Sequence, residues 1–187
     1  MIKRIIDFSH QLLSDTVQKN DTVIDATAGN GNDTFFLSKL VGEKGHVIAF
    51  DIQKQAISTV HEMLKQHHIT NTQVIHDSHE NVSNYLDGVK QLSGAIFNLG
   101  YLPKGDKTII THGESTVKAI QSMFDFLKVN GIIVLVIYHG HEGGKQEKEI
   151  LLQYVKNLSQ KTYNVLQYGF INQKNNPPFI IAIEKRC

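Results

Sequence analysis

Cysteine is almost missing from this chain: of 187 residues, Cys187 alone is one. That excludes a disulfide framework and a cysteine zinc knuckle, and it argues against a buried catalytic cysteine. Avoidance of cysteine also fits a reducing compartment. Proline is scarce, with 3 residues, and no linker divides the sequence. An excess of charge of one sign is lacking: 19 Lys and Arg face 18 Asp and Glu, a formal net charge of +1. A protein that coats nucleic acid through charge alone is therefore disfavoured. Long hydrophobic runs are absent. The longest extends from Ile132 to Tyr138, far short of the roughly 20 residues of a membrane-spanning helix. Lys3 and Arg4 open the chain as a signal peptide does, but Asp7 and His10 interrupt the apolar stretch and no small-residue cleavage pattern follows. The expected location is the cytoplasm, with no membrane partner.

What is present suits a packed core. Hydrophobic residues make up 41% and charged residues 20%, which excludes bulk disorder. We expect one domain over 1–187, with an N-terminal helix in 1–19, an alternating β/α core in 20–160 and a closing β-hairpin in 161–187. Ile2, Ile5, Ile6, Ser9, Leu12, Leu13 and Val17 recur at helical intervals. Strands are predicted at Thr22–Ala26, His46–Asp51, Gln73–Asp77, Gly94–Asn98 and Gly131–Tyr138, each followed by a helical pattern. The helix after Asp77 is the weakest of these. Thr111 and Glu114 have the spacing of a capping box. Asn164–Ile171 and Phe179–Glu184 read as two further strands, and the gap between them is too short for a parallel crossover, so they pair antiparallel. The predicted class is α/β: a doubly wound, seven-stranded, mostly parallel sheet with a C-terminal antiparallel hairpin. Ligands of such a sheet gather at the carboxyl ends of the strands, where the strand order reverses.

Four strand ends carry chemistry. Asp25-Ala26-Thr27-Ala28-Gly29-Asn30-Gly31-Asn32-Asp33 follows a strand and opens a helix. Its glycines permit tight turning and close approach to a ligand, and free N–H groups at the helix start favour anions. Asp25 would repel a pyrophosphate and welcome an ammonium group, although an Asp here also serves as a cap. Asp51 ends the second strand, 20 residues beyond Gly31, where a carboxylate can accept the hydroxyls of an adenosine ribose. His76-Asp77-Ser78-His79 ends the third; Asp77 can accept the exocyclic amine of adenine or form a polar turn. Asn98-Leu99-Gly100-Tyr101-Leu102-Pro103-Lys104-Gly105-Asp106 leaves the fourth. The Asn98 amide facing a cleft needs partners; with the neighbouring carbonyl it can hold an amine by its N–H groups, and Tyr101 can stack on a flat substrate. On the same rim, His139, His141 and Glu142 offer metal-ligand types without a convincing third ligand. Substrate contacts or loop structure are expected there, and no metal. His10 reads by default as a partly buried histidine of the first helix, with a contact to the substrate as the lesser alternative.

These strand ends, in this order and with the closing hairpin, resemble class I S-adenosylmethionine-dependent methyltransferases with a Rossmann-like sheet. DATAGNGNDT, FDIQ, FNLGYLPKGD, YHGHEGG and NQKNNPPFIIAIEK look more narrowly like the family long labelled rRNA methylases. That resemblance implies methylation of the aminomethyl nitrogen of wobble 5-aminomethyl-2-thiouridine in tRNA. It implies S-adenosyl-L-methionine as cofactor, with Asp25, Gly29, Asn30 and Gly31, and their neighbours Ala26, Thr27, Asn32 and Asp33, around its methionine part. Asp51, Ile52 and Gln53 would take the ribose side, and Asp77, Ser78 and His79 the adenine. Asn98 and Tyr101 stand where amine-directed methyltransferases carry an Asn-Pro-Pro-Tyr type sequence, with Leu99 and Gly100 between them here. Catalysis would rest on Asn98 and Tyr101, and the acceptor would meet Tyr101, Leu102, Pro103, Lys104, Asp106, His139 and His141.

The partner implied is the anticodon region of tRNA, and a homodimer is an assembly open to the chain. From Gly140 to Cys187 there are 7 basic and 4 acidic residues, and Lys104, Lys107, Lys145, Lys148 and Lys174 can meet phosphates. No cysteine in the body of the chain is available to activate a uridine ring, which favours a nitrogen acceptor over carbon. Alternatives are an rRNA methyltransferase, a small-molecule amine methyltransferase, a catalytically silent binding protein on the same scaffold, and, more distantly, an NAD-linked oxidoreductase. Thr34 in the third glycine position and Asp25 before the loop count against the last.

Overall fold

The computed structural model describes residues 1–100 and 110–187. Seven strands form one sheet: β1 (Thr22–Asp25), β2 (His46–Asp51), β3 (Thr72–His76), β4 (Leu92–Leu99), β5 (Leu127–Ile137), β6 (Tyr163–Gly169) and β7 (Phe179–Lys185). Their order is β3-β2-β1-β4-β5-β7-β6. The first five are parallel; β7 runs antiparallel to β5 and pairs with β6 as the expected hairpin. The chain steps outward from β1 to β3 and then returns to lay β4 on the other side of β1. That reversal opens a crevice above Asp25 and Asn98, at the carboxyl ends of the two central strands.

Alternate residues along the central strands feed two cores, because successive strand side chains point to opposite faces. On one face Phe97, Leu99, Leu135 and Ile181 pack with Ile120 and Met123 of α4 (Gly113–Phe124) and Leu151 and Val155 of α5 (Gly144–Lys156). On the other, Ile96, Val134, Val136 and Ile180 pack with Leu13 and Val17 at α1 (Ile5–Thr16) and Leu37 and Val41 of α2 (Asn32–Val41). Val60 and Leu64 of α3 (Lys54–Gln66) close the same face farther out against Ala28 and Ala49. Strands buried on both faces explain the unbroken apolar run of β5.

Several boundaries differ from the sequence pattern, for local reasons. The first helix begins at Ile5, and Ile2 is exposed rather than part of its stripe. Segment His79–Tyr85 is a 3-10 helix, capped where the Ser78 hydroxyl accepts the Glu80 N–H at 3.3 Å. β5 starts at Leu127, four residues early, because Leu127 pairs with Leu92 before the register shifts at Gly94. The capping box does not form. His112, not Thr111, precedes α4, and the Thr111 hydroxyl instead accepts the Gly100 N–H at 2.9 Å. Among the described residues no helix is long and apolar enough to cross a membrane.

Candidate active site

The glycine loop leaves β1 at Asp25, whose carboxylate is fully buried. It accepts the Thr34 hydroxyl at 2.6 Å and the Thr27 N–H at 3.2 Å. Burial, and then the nearby Asp33 charge, push its pKa upward. Gly29 and Gly31 both take positive φ, 52° and 82°, a region that costs other L-residues about 1–2 kcal/mol. At Gly31 a Cβ would also meet Met63 Cε at 3.1 Å. Gly31 opens α2 with no side-chain cap, so the first helical N–H groups stay available at the loop.

Asp51 closes the loop from the neighbouring strand. One oxygen accepts the Gly29 N–H and the other the Gln53 N–H, each at 2.8 Å. Burial pushes its pKa up against those bonds. Asp77 accepts Ser78 N–H, Asn81 Nδ2 and Tyr85 Oη at 2.7, 2.9 and 2.9 Å, and the Asn81 bond leads in holding its pKa low. His79 is buried, with Nδ1 on the Ala26 carbonyl at 3.0 Å; burial lowers its pKa.

Asn98, next to last in β4, faces α2. Its backbone N–H donates to Thr27 Oγ1 at 2.6 Å, and its side-chain Nδ2 donates to Asp33 Oδ2. A carboxylate only accepts, so the amide nitrogen must face Asp33 and the amide oxygen must point elsewhere. That oxygen has no partner among the described residues. The Leu99 carbonyl, expected to share the hold on an amine, instead accepts the Tyr138 N–H at 3.0 Å. Asp33 Oδ1 in turn accepts His10 Nε2 at 2.6 Å.

These groups line a cavity of about 870 Å³, a size typical of small-molecule and cofactor sites. Of the residues anticipated, Ala26, Thr27, Gly29, Asn30, Asn32 and Asp33 line it from the loop. Asp51, Ile52, Gln53, Asp77, Ser78 and His79 line it from the β2 and β3 ends, and Asn98, His139 and His141 from β4 and β5. Asp25 and Gly31 do not border it; they shape the loop from behind. Tyr101, Leu102, Pro103, Lys104, Asp106 and Lys107 lie outside the described residues. His139 Nε2–H donates to the Pro177 carbonyl, 3.1 Å away, tying the rim to the hairpin loop. Among the described residues no three His, Cys, Asp or Glu side chains come together as a metal site.

Residues that the sequence pattern did not single out for the site also border the cavity: Ile6 of α1, Tyr138 after β5, Thr111 and Ser115 by α4, and Asn176 of the hairpin loop, and His10, read there only as a lesser alternative, borders it too. Ile6 and His10 are four apart, one turn on a helix face. That spacing was visible, but it reads equally as part of the core stripe.

Residues 47–184 match the model of the family described as "Putative rRNA methylase". The chain belongs to that family. Residues 4–85 also match the model of protein-L-isoaspartate(D-aspartate) O-methyltransferases. A chloroplastic tRNA (mnm(5)s(2)U34)-methyltransferase of Arabidopsis thaliana is 32% identical over 98% of this chain and 70% of its own length. A solved structure from Clostridium thermocellum with the same family description superposes with a TM-score of 0.96, at 42% identity and 99% coverage of both chains. The "putative methyltransferase" SMU.1697c from Streptococcus mutans, solved in complex with SAH, superposes at 0.91, also with 42% identity and 99% coverage of both. This methylase is an S-adenosylmethionine-dependent methyltransferase.

The cavity suits such a donor. Asp33, Asp51 and Asp77 give it an acidic lining toward a cationic ligand. The Asp51 carboxylate, which holds the Gly29 and Gln53 N–H groups, has acceptor capacity beyond those two bonds.

Proposed function

We propose that this methylase acts on tRNA, transferring a methyl group to the aminomethyl nitrogen of wobble 5-aminomethyl-2-thiouridine. The reading is carried by Asn98. Its amide nitrogen is committed to Asp33 and its amide oxygen is without a partner among the described residues, an acceptor suited to the N–H bonds of an amine. The Arabidopsis relative is named for an activity of the same kind.

Each residue has a part in this proposal. The loop from Ala26 to Asp33 holds the methionine portion of the donor, with Asp25 bracing it from behind. Asp51, Ile52 and Gln53 hold the ribose side, and Asp77, Ser78 and His79 the adenine side. The donor, when bound, supplies a methyl group on a positively charged sulfur, an electrophile that a neutral amine can attack. Asn98 accepts an N–H of that amine and so turns its lone pair toward the donor, an orientation effect. Tyr101, Leu102, Pro103, Lys104 and Asp106, together with His139 and His141, meet the extruded base. The cytoplasm is where this substrate would be met.

The deciding experiment is nucleoside mass spectrometry of tRNA from a strain lacking the protein. Accumulation of the unmethylated aminomethyl nucleoside is expected. Unchanged tRNA would turn the assignment toward a small-molecule amine.

A further inference from the structure

His10 is a cavity residue whose chemistry the assignment above leaves unused. It comes from α1, outside the alternating core, yet it reaches the carboxylate that grips Asn98. His10 Nε2 lies 2.6 Å from Asp33 Oδ1, while Asn98 Nδ2 occupies Oδ2 of the same group. The His10 ring stacks on Phe36 at 3.9 Å between centroids with planes 1° apart, which fixes its orientation. Asp33 is buried, and the His10 side chain keeps 26% of its surface exposed, on the cavity side among other lining residues.

The tautomer follows from the partner. Asp33 as a carboxylate needs a proton on Nε2, so the neutral ring carries its lone pair on Nδ1. Nδ1 has no partner among the described residues. The carboxylate that holds the His10 ring in one tautomer also holds the Asn98 amide, so a ring nitrogen with a free lone pair and the acceptor-side amide border one cavity from a single anchor.

We propose that His10 is a catalytic residue: its Nδ1 removes a proton from the acceptor ammonium, with Asp33 as the positioning residue behind it. This rests on the acceptor being an amine, as inferred above. An alkyl ammonium has a pKa near about 10.4 and carries no lone pair at neutral pH. In the step, one N–H bond of the ammonium breaks and its electron pair stays on nitrogen as the lone pair. An Nδ1–H bond forms, and the resulting imidazolium lies against the Asp33 carboxylate. The imidazolium returns its proton to water before the next turnover.

The other groups around this point are less suited. Burial and the Asp33 charge push the Tyr138 phenol up, so it keeps its proton. Asp25, behind Asp33, is enclosed by Thr34 and Thr27. His79 and His139 each spend a ring nitrogen on a backbone carbonyl, of Ala26 and Pro177. Asp7 lies on the same helix as His10, in its exposed first turn.

The test uses the full chain, S-adenosylmethionine and an anticodon stem-loop RNA carrying 5-aminomethyl-2-thiouridine. Wild type, His10→Ala and His10→Gln are compared from pH 6.5 to 9.5, a span of about three pH units below the amine's pKa. At pH 7 both variants should lose roughly 100-fold in kcat, with KM for the RNA changed less than about threefold and binding of S-adenosylhomocysteine by calorimetry intact. The loss should shrink as pH rises, because solvent then supplies the neutral amine, and added imidazole should partly restore His10→Ala. Retained binding shows that the fold survives. Full activity of the variants at pH 7, or a loss that is the same at every pH, overturns the role of His10 while leaving the amine assignment standing. A wild-type enzyme that leaves this RNA unmethylated overturns both.

Discussion

The backbone N–H of Gly29 donates to the Asp51 carboxylate at 2.8 Å, across 22 residues of sequence. One bond thus ties the turn after β1 to the end of β2, and the group proposed to hold the ribose also sets the loop proposed to hold the methionine portion. Replacing Asp51 by Ala should remove both. Hydrogen bonds to a charged group contribute about 1.5–3 kcal/mol each, so S-adenosylhomocysteine affinity should fall by roughly 10- to 100-fold or more in calorimetry. Unchanged affinity would place the ribose elsewhere.

Asn98 should separate binding from turnover. Asn98→Ala removes the amide oxygen at the acceptor side and leaves the Asp51 end untouched. We expect kcat on the aminomethyl RNA to drop by roughly 100-fold, with a much smaller change in cofactor affinity. Equal losses in both would contradict this division of roles.

Gly31 tests the loop's backbone. At φ 82° and with Met63 Cε 3.1 Å from where a Cβ would stand, Gly31→Ala should cost about 1–2 kcal/mol. A urea titration should show a lower midpoint with an unchanged slope, and cofactor binding should weaken with it.

Glu147 predicts a pH dependence of stability. It is 2% exposed at the first turn of α5, and neither carboxylate oxygen completes a hydrogen bond with the described residues, although the Thr111 hydroxyl lies close enough to favour its charged form. Burial pushes its pKa from the ordinary 4.5 up to about 7. A carboxyl raised on folding contributes fully below its unfolded value and loses that contribution as pH rises through the folded one. Wild-type stability should therefore decline between about pH 4.5 and 7, by up to about 3 kcal/mol from this group. Glu147→Gln should match wild type at pH 5 and exceed it at pH 8 in denaturant melts. An equal gap at both values would show that the charge is not what matters.

Legibility in the sequence followed the range of the interactions. Asp51, Asp77 and Asn98 were readable as rim residues because each stands where an apolar run stops, and a strand's end lies at the rim whatever its neighbours. The Thr111–Glu114 spacing was readable too, and misled: a capping box competes with any other donor in reach, and Gly100, brought close by the fold, took the hydroxyl. Asp25 reads locally as a cavity carboxylate. Its enclosure by Thr34 depends on how α2 turns back over β1.

His10, Tyr138 and Asn176 could not be assigned to one cavity from spacing, since they sit on the first helix, the fifth strand's exit and the final hairpin. The alternation of strands and helices, the antiparallel ending and the acidic and amide strand ends are local properties, set by periodicity and loop length, and the chain carries them in its own order. Which oxygen of Asp33 serves His10 and which serves Asn98 was decided only in three dimensions, because contacts between residues 23 and 65 positions apart depend on packing geometry that no nearest-neighbour pattern encodes.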